Sequence, residues 1–316
     1  MTPELYQRLE SQGGAADLSA RAKFALAGAD RVRYLNGQVT NEVRGASPAA
    51  AIYACVTNAK GRIEGDVFIH ASADPGSLLL LDAEEGLREH LGARLERYIV
   101  ADDVELRDVT EDWRLWHFFG PAAEAARQLP LPTGSARLDV TRLGAVGVDV
   151  WVPASGVGLA LPPDVQTVAP ETWEALRILK GVPRWPQEIN NDAFPQEAGL
   201  EGRAMSFTKG CYIGQEILSR IKLTGKMPRR LVRVDFGALP ADTPAHGTNA
   251  VPWTLFDSSQ EPPKAVGQMT SITHHPVLDR PVGLAYVRHG LEAGDSLLIG
   301  SEEPPRIFAK VDISPT

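Results

Sequence analysis

The sequence predicts an α+β protein built from two ferredoxin-like modules and a C-terminal all-β unit, a small antiparallel barrel or sandwich. Three observations carry this expectation. The first ~110 residues read strand–helix–strand–strand–strand–helix–strand, and the next ~70 repeat the alternation without residue-level similarity. From about Arg229 onward no helical period appears, only short β-rich runs with Gly/Pro-rich joints. The chain has 316 residues with 43% hydrophobic and 23% charged residues, ordinary for a globular protein that needs no covalent staple.

The elements follow in order. Residues 20–27 read as a strand, and Asp30 stands where an N-cap opens a short helix with Val32 and Leu35 on one face. Residues 51–57 and 62–70 are β-rich runs split by Asn58-Ala59-Lys60-Gly61, the composition of a hairpin turn. Residues 77–81 form an apolar strand. Asp82 followed by Glu85 matches a capping box before a helix striped by Leu87, Leu91, Leu95, Tyr98 and Ile99. Residues 103–109 return as a strand. The second module reads as a strand at 113–119, a helix begun by Pro121, strands at 136–141, 145–152 and 157–161, and a helix at 170–180 ended by Gly181. The C-terminal strands are expected at 231–236, 265–273, 281–288, 296–300 and 307–313, so the domains divide as 1–110, 111–228 and 229–316.

Composition excludes several classes. Lys+Arg 32 against Asp+Glu 40 gives a net charge of −8, which excludes a globally basic nucleic-acid binder but not a local basic patch. Two cysteines, Cys55 and Cys211, are too few for a disulfide framework or a self-contained Cys₄ site. The beginning of the chain has no leader pattern, and no apolar run approaches about 18–20 residues, so a cytoplasmic protein without membrane association is expected; a monomer is the expected state. No phosphate-binding glycine motif of the Walker or dinucleotide type is present. His274-His275 before Pro276 has no matching Cys or Asp cluster, so it reads as a turn, and no metal site is expected.

The most distinctive stretch is Lys209-Gly210-Cys211-Tyr212-Ile213-Gly214-Gln215-Glu216. Its two glycines permit a tight turn and close backbone approach, and Lys209 is placed to favour a Cys211 thiolate. Cys211 is therefore a candidate reactive thiol, against the alternative of a packed structural cysteine. Cys55, on an apolar strand, reads as inert. After the motif, Arg220, Lys222, Lys226, Arg229, Arg230 and Arg233 occur with no acid between Glu216 and Asp235. This run could meet an anionic ligand tail, nucleic-acid phosphates, or only solvent.

The eight-residue motif resembles the signature of the YgfZ-type folate-binding proteins, relatives of the aminomethyltransferase (T-protein) of the glycine cleavage system. Supporting similarity lies in Arg177, Gly181-Val182-Pro183, Glu188 and Pro195-Gln196-Glu197-Ala198-Gly199-Leu200. It also lies in Gly28-Ala29-Asp30, the run from Tyr34 to Asn41 and the run from Asn58 to Ile63. The resemblance implies a three-domain ring with a C-terminal β-barrel around a central pocket for tetrahydrofolate or a one-carbon derivative. It implies that Asp66 and Glu188 touch the folate, with Cys211 a thiol at the pocket edge; Lys209 is a further candidate folate-binding residue, and so are Lys226 and Arg230 if the basic run meets the glutamyl tail. Asp66 and Cys211 are the expected reactive groups. The implied role is an accessory to iron–sulfur enzymes, including tRNA-modifying ones, with those client enzymes as partners. A folate-dependent aminomethyltransferase or demethylase and a non-enzymatic tRNA or protein adaptor are the alternatives. T-protein-like sequences carry two adjacent aspartates where this chain has Gly65-Asp66, a departure that counts against aminomethyl transfer.

Overall fold

The computed structural model describes residues 1–72, 78–236, 253–257, 259, 261–301 and 306–314. The chain opens with helix α1 (Pro3–Gln12), capped by the Thr2 hydroxyl and begun by proline at its first position. Strand β1 (Gly14–Asp17) follows, then β2 (Ala22–Ala27), α2 (Arg31–Gln38), β3 (Ile52–Thr57), β4 (Ile63–Ala71), β5 (Leu79–Ala83), α3 (Arg88–Glu96) and β6 (Glu105–Asp108). Next come β7 (Trp113–Phe119), α4 (Ala122–Gln128), β8 (Ala136–Thr141), β9 (Val146–Pro153), β10 (Thr167–Val168), α5 (Pro170–Leu179), α6 (Glu201–Ala204) and α7 (Gln215–Thr224). The last strands are β11 (Arg229–Phe236), β12 (Thr254–Asp257), β13 (Lys264–His275), β14 (Arg280–Arg288), β15 (Ser296–Ser301) and β16 (Arg306–Ser314).

Three sheets result. Strands β3-β4-β5-β2-β6 form the first, β10-β1-β7-β9-β8 the second, and β11-β14-β13-β12-β15-β16 a closed barrel. The mixed α+β class and the all-β C-terminal unit are as the sequence predicts, and closure settles barrel over sandwich. In the first sheet the strand–helix order from β2 to β6 matches the reading in full. The turn between β3 and β4 is held by Asn58, whose side-chain oxygen accepts from the Lys60 and Arg62 amides, with Gly61 at φ +74°.

Several local expectations give way. Asp82 caps no helix; it lies inside β5, buried, between two arginines. The capping-box spacing is met by chance, and neutralising a buried carboxylate decides the residue's place. Asp30 precedes α2 without capping it: its carboxylate accepts from the Asp103 amide at 3.0 Å instead, tying the helix start to the segment before β6. Residues 157–161 form no strand, and the edge of the second sheet is the two-residue β10 at Thr167–Val168. Strand β12 was not expected. The expected strand 77–81 is found as β5 at Leu79–Ala83; Ser77 lies outside the described residues.

The N-terminal strand β1 joins the second sheet, antiparallel to β7 and parallel to β10. Its entry requires glycine. Gly13 has φ +73°, and a Cβ there would lie 1.9 Å from the Phe119 carbonyl oxygen. The two sheets share one core of Ala16, Leu18, Ala25, Leu80, Leu115, Leu138 and Trp151. They are also stitched by main-chain bonds from Ala51 to the Asp139 carbonyl and from the Asp139 amide to the Ala49 carbonyl, each 2.8 Å. The barrel packs its own core, including Val234, Phe236, Leu255, Val287 and Ile299, and leans on α5 through β13 and β14.

Candidate functional site

A cleft of about 540 Å³, open mouth included, lies between the two α+β modules. Its floor is the β3–β4 hairpin. Strand pairing sets Tyr53 opposite Phe68 and Cys55 opposite Asp66, so Tyr53, Asp66 and Phe68 share one face. The Tyr53 and Phe68 rings stack with centroids 4.5 Å apart. The second module supplies Arg142, Leu143, Trp173 and Arg177, the segment after α5 supplies Val182, Pro183 and Arg184, and α6 supplies Arg203.

Asp66 is only 5% exposed. Its Oδ2 accepts the Tyr53 hydroxyl at 2.9 Å, while its Oδ1 is buried with no partner. Burial pushes its carboxyl up to about 6, opposed by Arg21 and the Tyr53 bond and reinforced by Glu84 and Asp82. The group can therefore hold or release a proton near neutrality, and its free oxygen can accept an N–H from a ligand.

Gly65 faces the other way. A Cβ there would meet Leu87 Cδ1 at 3.3 Å and Leu91 Cδ1 at 3.6 Å, beneath α3. The glycine in place of a first aspartate therefore removes nothing from the cleft.

Behind the cleft runs a buried ion network. Arg142 Nη2 bridges Asp82 of the first sheet at 2.8 Å and Asp149 of the second at 2.6 Å. Asp149 also bonds His117 Nδ1 at 2.8 Å, and Asp82 also takes Arg21 at 2.5 Å. Burial alone would raise Asp149, but Arg142 and His117 bring it down to about 2. The Arg142 guanidinium stacks over Phe68 at 4.3 Å, so the network reaches the cleft wall.

The remaining expected residues lie elsewhere. Glu188 is fully buried and does not line the cleft. Its Oε2 accepts from Arg177 at 2.9 Å and the Arg184 amide at 3.1 Å, its Oε1 from Ser271 at 2.5 Å, and its carbonyl from Tyr286 at 2.8 Å. A carboxylate whose oxygens are both engaged joins α5 to the barrel; it has no pair of lone pairs left for a pterin edge.

The Lys209 ammonium is taken up by backbone carbonyls. It is buried and donates to the carbonyls of Asn36, Val39 and Asn41 at 2.6, 2.6 and 2.7 Å, satisfying the C-terminal end of α2. Desolvation brings it down to about 8. The rest of the motif is likewise clamped to the first module. The Ile213 amide donates to Gly37, Ile213 accepts the Thr57 hydroxyl at 2.6 Å, and Gly214 (φ +88°) would place a Cβ 2.5 Å from the Asn58 carbonyl oxygen. Gly210 shows neither a positive φ nor a close neighbour. Held by this frame, Cys211 is exposed, while Cys55 is buried and its thiol pushed up by desolvation.

The basic run is dispersed. Lys222 pairs with Glu201, Arg229 lies over Tyr286 and donates to the Asp192 carbonyl, and Arg233 donates to the Leu179 carbonyl. Arg230 is bound to the Leu291 carbonyl and to Glu292 at 3.2 Å. Lys226 sits exposed just past α7. None of these lines the cleft. The cleft residues that sequence reading missed include Tyr53, Arg21, Arg142, Arg184 and Arg203. Only Tyr53 had a legible signal: the hairpin register places it opposite Phe68.

Fold and site together define an α+β protein with two sheet modules, a closed barrel and an inter-module cleft floored by one buried carboxyl. Residues 5–132 match the GCVT N-terminal domain. The chain is 25% identical to an aminomethyltransferase of Anoxybacillus flavithermus, over 99% of this chain and 89% of that protein. It is 27% identical to an iron–sulfur cluster assembly factor IBA57 homolog of Chaetomium globosum, over 69% of this chain and 55% of that protein. The crystal structure of the glycine cleavage system aminomethyltransferase T from Bartonella henselae superposes with a TM-score of 0.80 at 19% identity, covering 98% of this chain and 88% of that one. The chain is thus similar to the GCVT N-terminal domain over residues 5–132, and to aminomethyltransferases and IBA57 homologs over most of its length. Among the described residues, no helix is long and apolar enough to cross a membrane.

Proposed function

We propose that this protein binds tetrahydrofolate in the inter-module cleft and serves, as a YgfZ-type protein, in the assembly or maintenance of iron–sulfur enzymes. The observation that carries the reading is Asp66: a buried carboxyl with one unpartnered oxygen, on the floor of a cleft walled by Tyr53, Phe68, Leu143 and Trp173. A flat heteroaromatic ligand with N–H donors fits that donor set, and an unpaired buried acceptor is costly until such a donor arrives. When bound, tetrahydrofolate supplies a carrier for one-carbon units. Asp66 accepts the ligand N–H, Tyr53 fixes the Asp66 rotamer, and the aromatic walls exclude water.

The IBA57-type relatives support the iron–sulfur role, and exposed Cys211 is the group offered to a client. Tetrahydrofolate calorimetry with the wild type and Asp66→Asn tests the ligand. Rescue by wild type but not by Cys211→Ser, in a cell lacking the protein, tests the client role. Absence of folate binding would remove the first half of the reading; full rescue by the serine variant would remove the thiol.

A second reading, a folate-dependent aminomethyltransferase or demethylase, is favoured by the orientation of Gly65, which leaves the cleft carboxyl intact. Tetrahydrofolate-dependent ammonia release from an aminomethyl donor would select it.

A further inference from the structure

Five arginines line the cleft. Four have carboxylate partners: Arg21 holds Asp82 and Glu84, Arg142 holds Asp82 and Asp149, Arg177 holds Glu174 and Glu188, and Arg184 holds Glu174 at 3.0 Å. Arg203 does not. Its one hydrogen bond runs from Nη2 to the Thr141 carbonyl at 3.3 Å, and its guanidinium lies 5.8 Å from the centre of the Tyr53 ring. No acidic side chain among the described residues pairs with it, although it is half-buried.

Tyr53 joins this cation to the opposite feature. Its ring lies under Arg203, and its hydroxyl bonds Asp66, whose second oxygen is buried and unpartnered. The cleft thus presents an open acceptor on one side of Tyr53 and an unneutralised planar cation on the other. A half-desolvated guanidinium gains most from a carboxylate, which its fork meets with two parallel bonds.

We propose that Arg203 is the anion anchor of this cleft and receives a carboxylate of the bound ligand. The ligand class is an acid that also carries an N–H donor for Asp66. This rests on the folate reading and deepens it, moving recognition of the glutamyl carboxylate from Lys226 and Arg230 to α6.

The test is calorimetry of the full chain with tetrahydrofolate and with tetrahydropteroate, which lacks the glutamyl carboxylates. Wild type should bind tetrahydrofolate about ten- to a hundredfold more tightly, the range of a charge-assisted bond. Arg203→Gln should lose that margin for tetrahydrofolate and leave tetrahydropteroate affinity within about threefold, since it touches no pterin contact. Arg203→Lys, retaining charge without the fork, should recover part of it. Unchanged melting temperatures check the fold. Equal loss for both ligands, or no loss for either, overturns the anchor while the folate reading stands. A wild-type protein that binds neither compound overturns both.

Discussion

The hydroxyl of Tyr53 lies 2.9 Å from Asp66 Oδ2, and this bond leaves Oδ1 of the same carboxyl buried and unpartnered. One oxygen orients the group and the other is left without a hydrogen bond. A tyrosine donor holds the carboxyl in a single rotamer while adding no positive charge, so burial can keep its pKa near neutrality. An arginine in the same place would pull it down, as Arg142 does to Asp149.

That balance sets a pH dependence. Asp66 titrates near 6 in the folded chain against 3.8 as its ordinary value, so the native state holds the extra proton between those pH values. Stability from this group is therefore full below about pH 4, falls as pH rises, and is lost above about pH 6. Asp66→Asn should match wild type near pH 4 and exceed it by roughly 2–3 kcal/mol at pH 7.5. It should meanwhile lose tetrahydrofolate affinity. Urea unfolding at the two pH values, with calorimetry, checks both.

Arg142 behaves in the opposite sense. Removing it leaves Asp82 and Asp149 facing one another with less compensation, at a cost of about 3–5 kcal/mol for Arg142→Met at pH 7. Asp149 is depressed to about 2 in the wild type, so its contribution is present above its ordinary value of 3.8 and lost as pH falls towards 2. The gap between variant and wild type should therefore narrow in acid. A constant gap would mean that packing on Phe68, not charge, makes the difference.

The two cysteines predict a clean chemical contrast. Cys211 is exposed and Cys55 is 0% exposed with its thiol pushed up by burial. In the native protein, iodoacetamide should modify Cys211 to completion while Cys55 stays unmodified until denaturant is added. Peptide mass spectrometry reads the outcome, and equal labelling would contradict the placement of Cys55.

Lys209 holds three carbonyls of the segment after α2. Lys209→Met should lower stability by about 3 kcal/mol through unsatisfied buried carbonyls. The Cys211 alkylation rate should stay within about threefold, because backbone carbonyls take up the ammonium. A large fall in that rate at unchanged stability would restore the activating role.

Glu188→Gln separates frame from ligand contact. It weakens bonds to Arg177, the Arg184 amide and Ser271, and should cost about 2 kcal/mol. Tetrahydrofolate affinity should change by less than about threefold. Loss of affinity with stability intact would make Glu188 a direct contact.

Much of this was legible from local sequence. The hairpin turn from Asn58 to Gly61, the helix ended at Gly181 and five of the six barrel strands depend on turn chemistry and side-chain period, which act over a few residues. So does the sharing of one strand face by Asp66 and Phe68. What sequence could not decide was where each charge finds its partner. Asp82 reads as a helix cap until Arg21, 61 residues away, and Arg142, 60 away, claim it in a buried layer. Lys209 reads as an activator of its neighbour two places on, yet its ammonium is taken by carbonyls 168–173 residues earlier. Glu188 finds Ser271 across 83 residues. Strand β1 likewise crosses into the second sheet because β7 and β10 offer it paired edges there. Turns and periods are settled by near neighbours. A buried charge or a sheet edge is settled by whichever distant group satisfies it, and only the folded chain names that group.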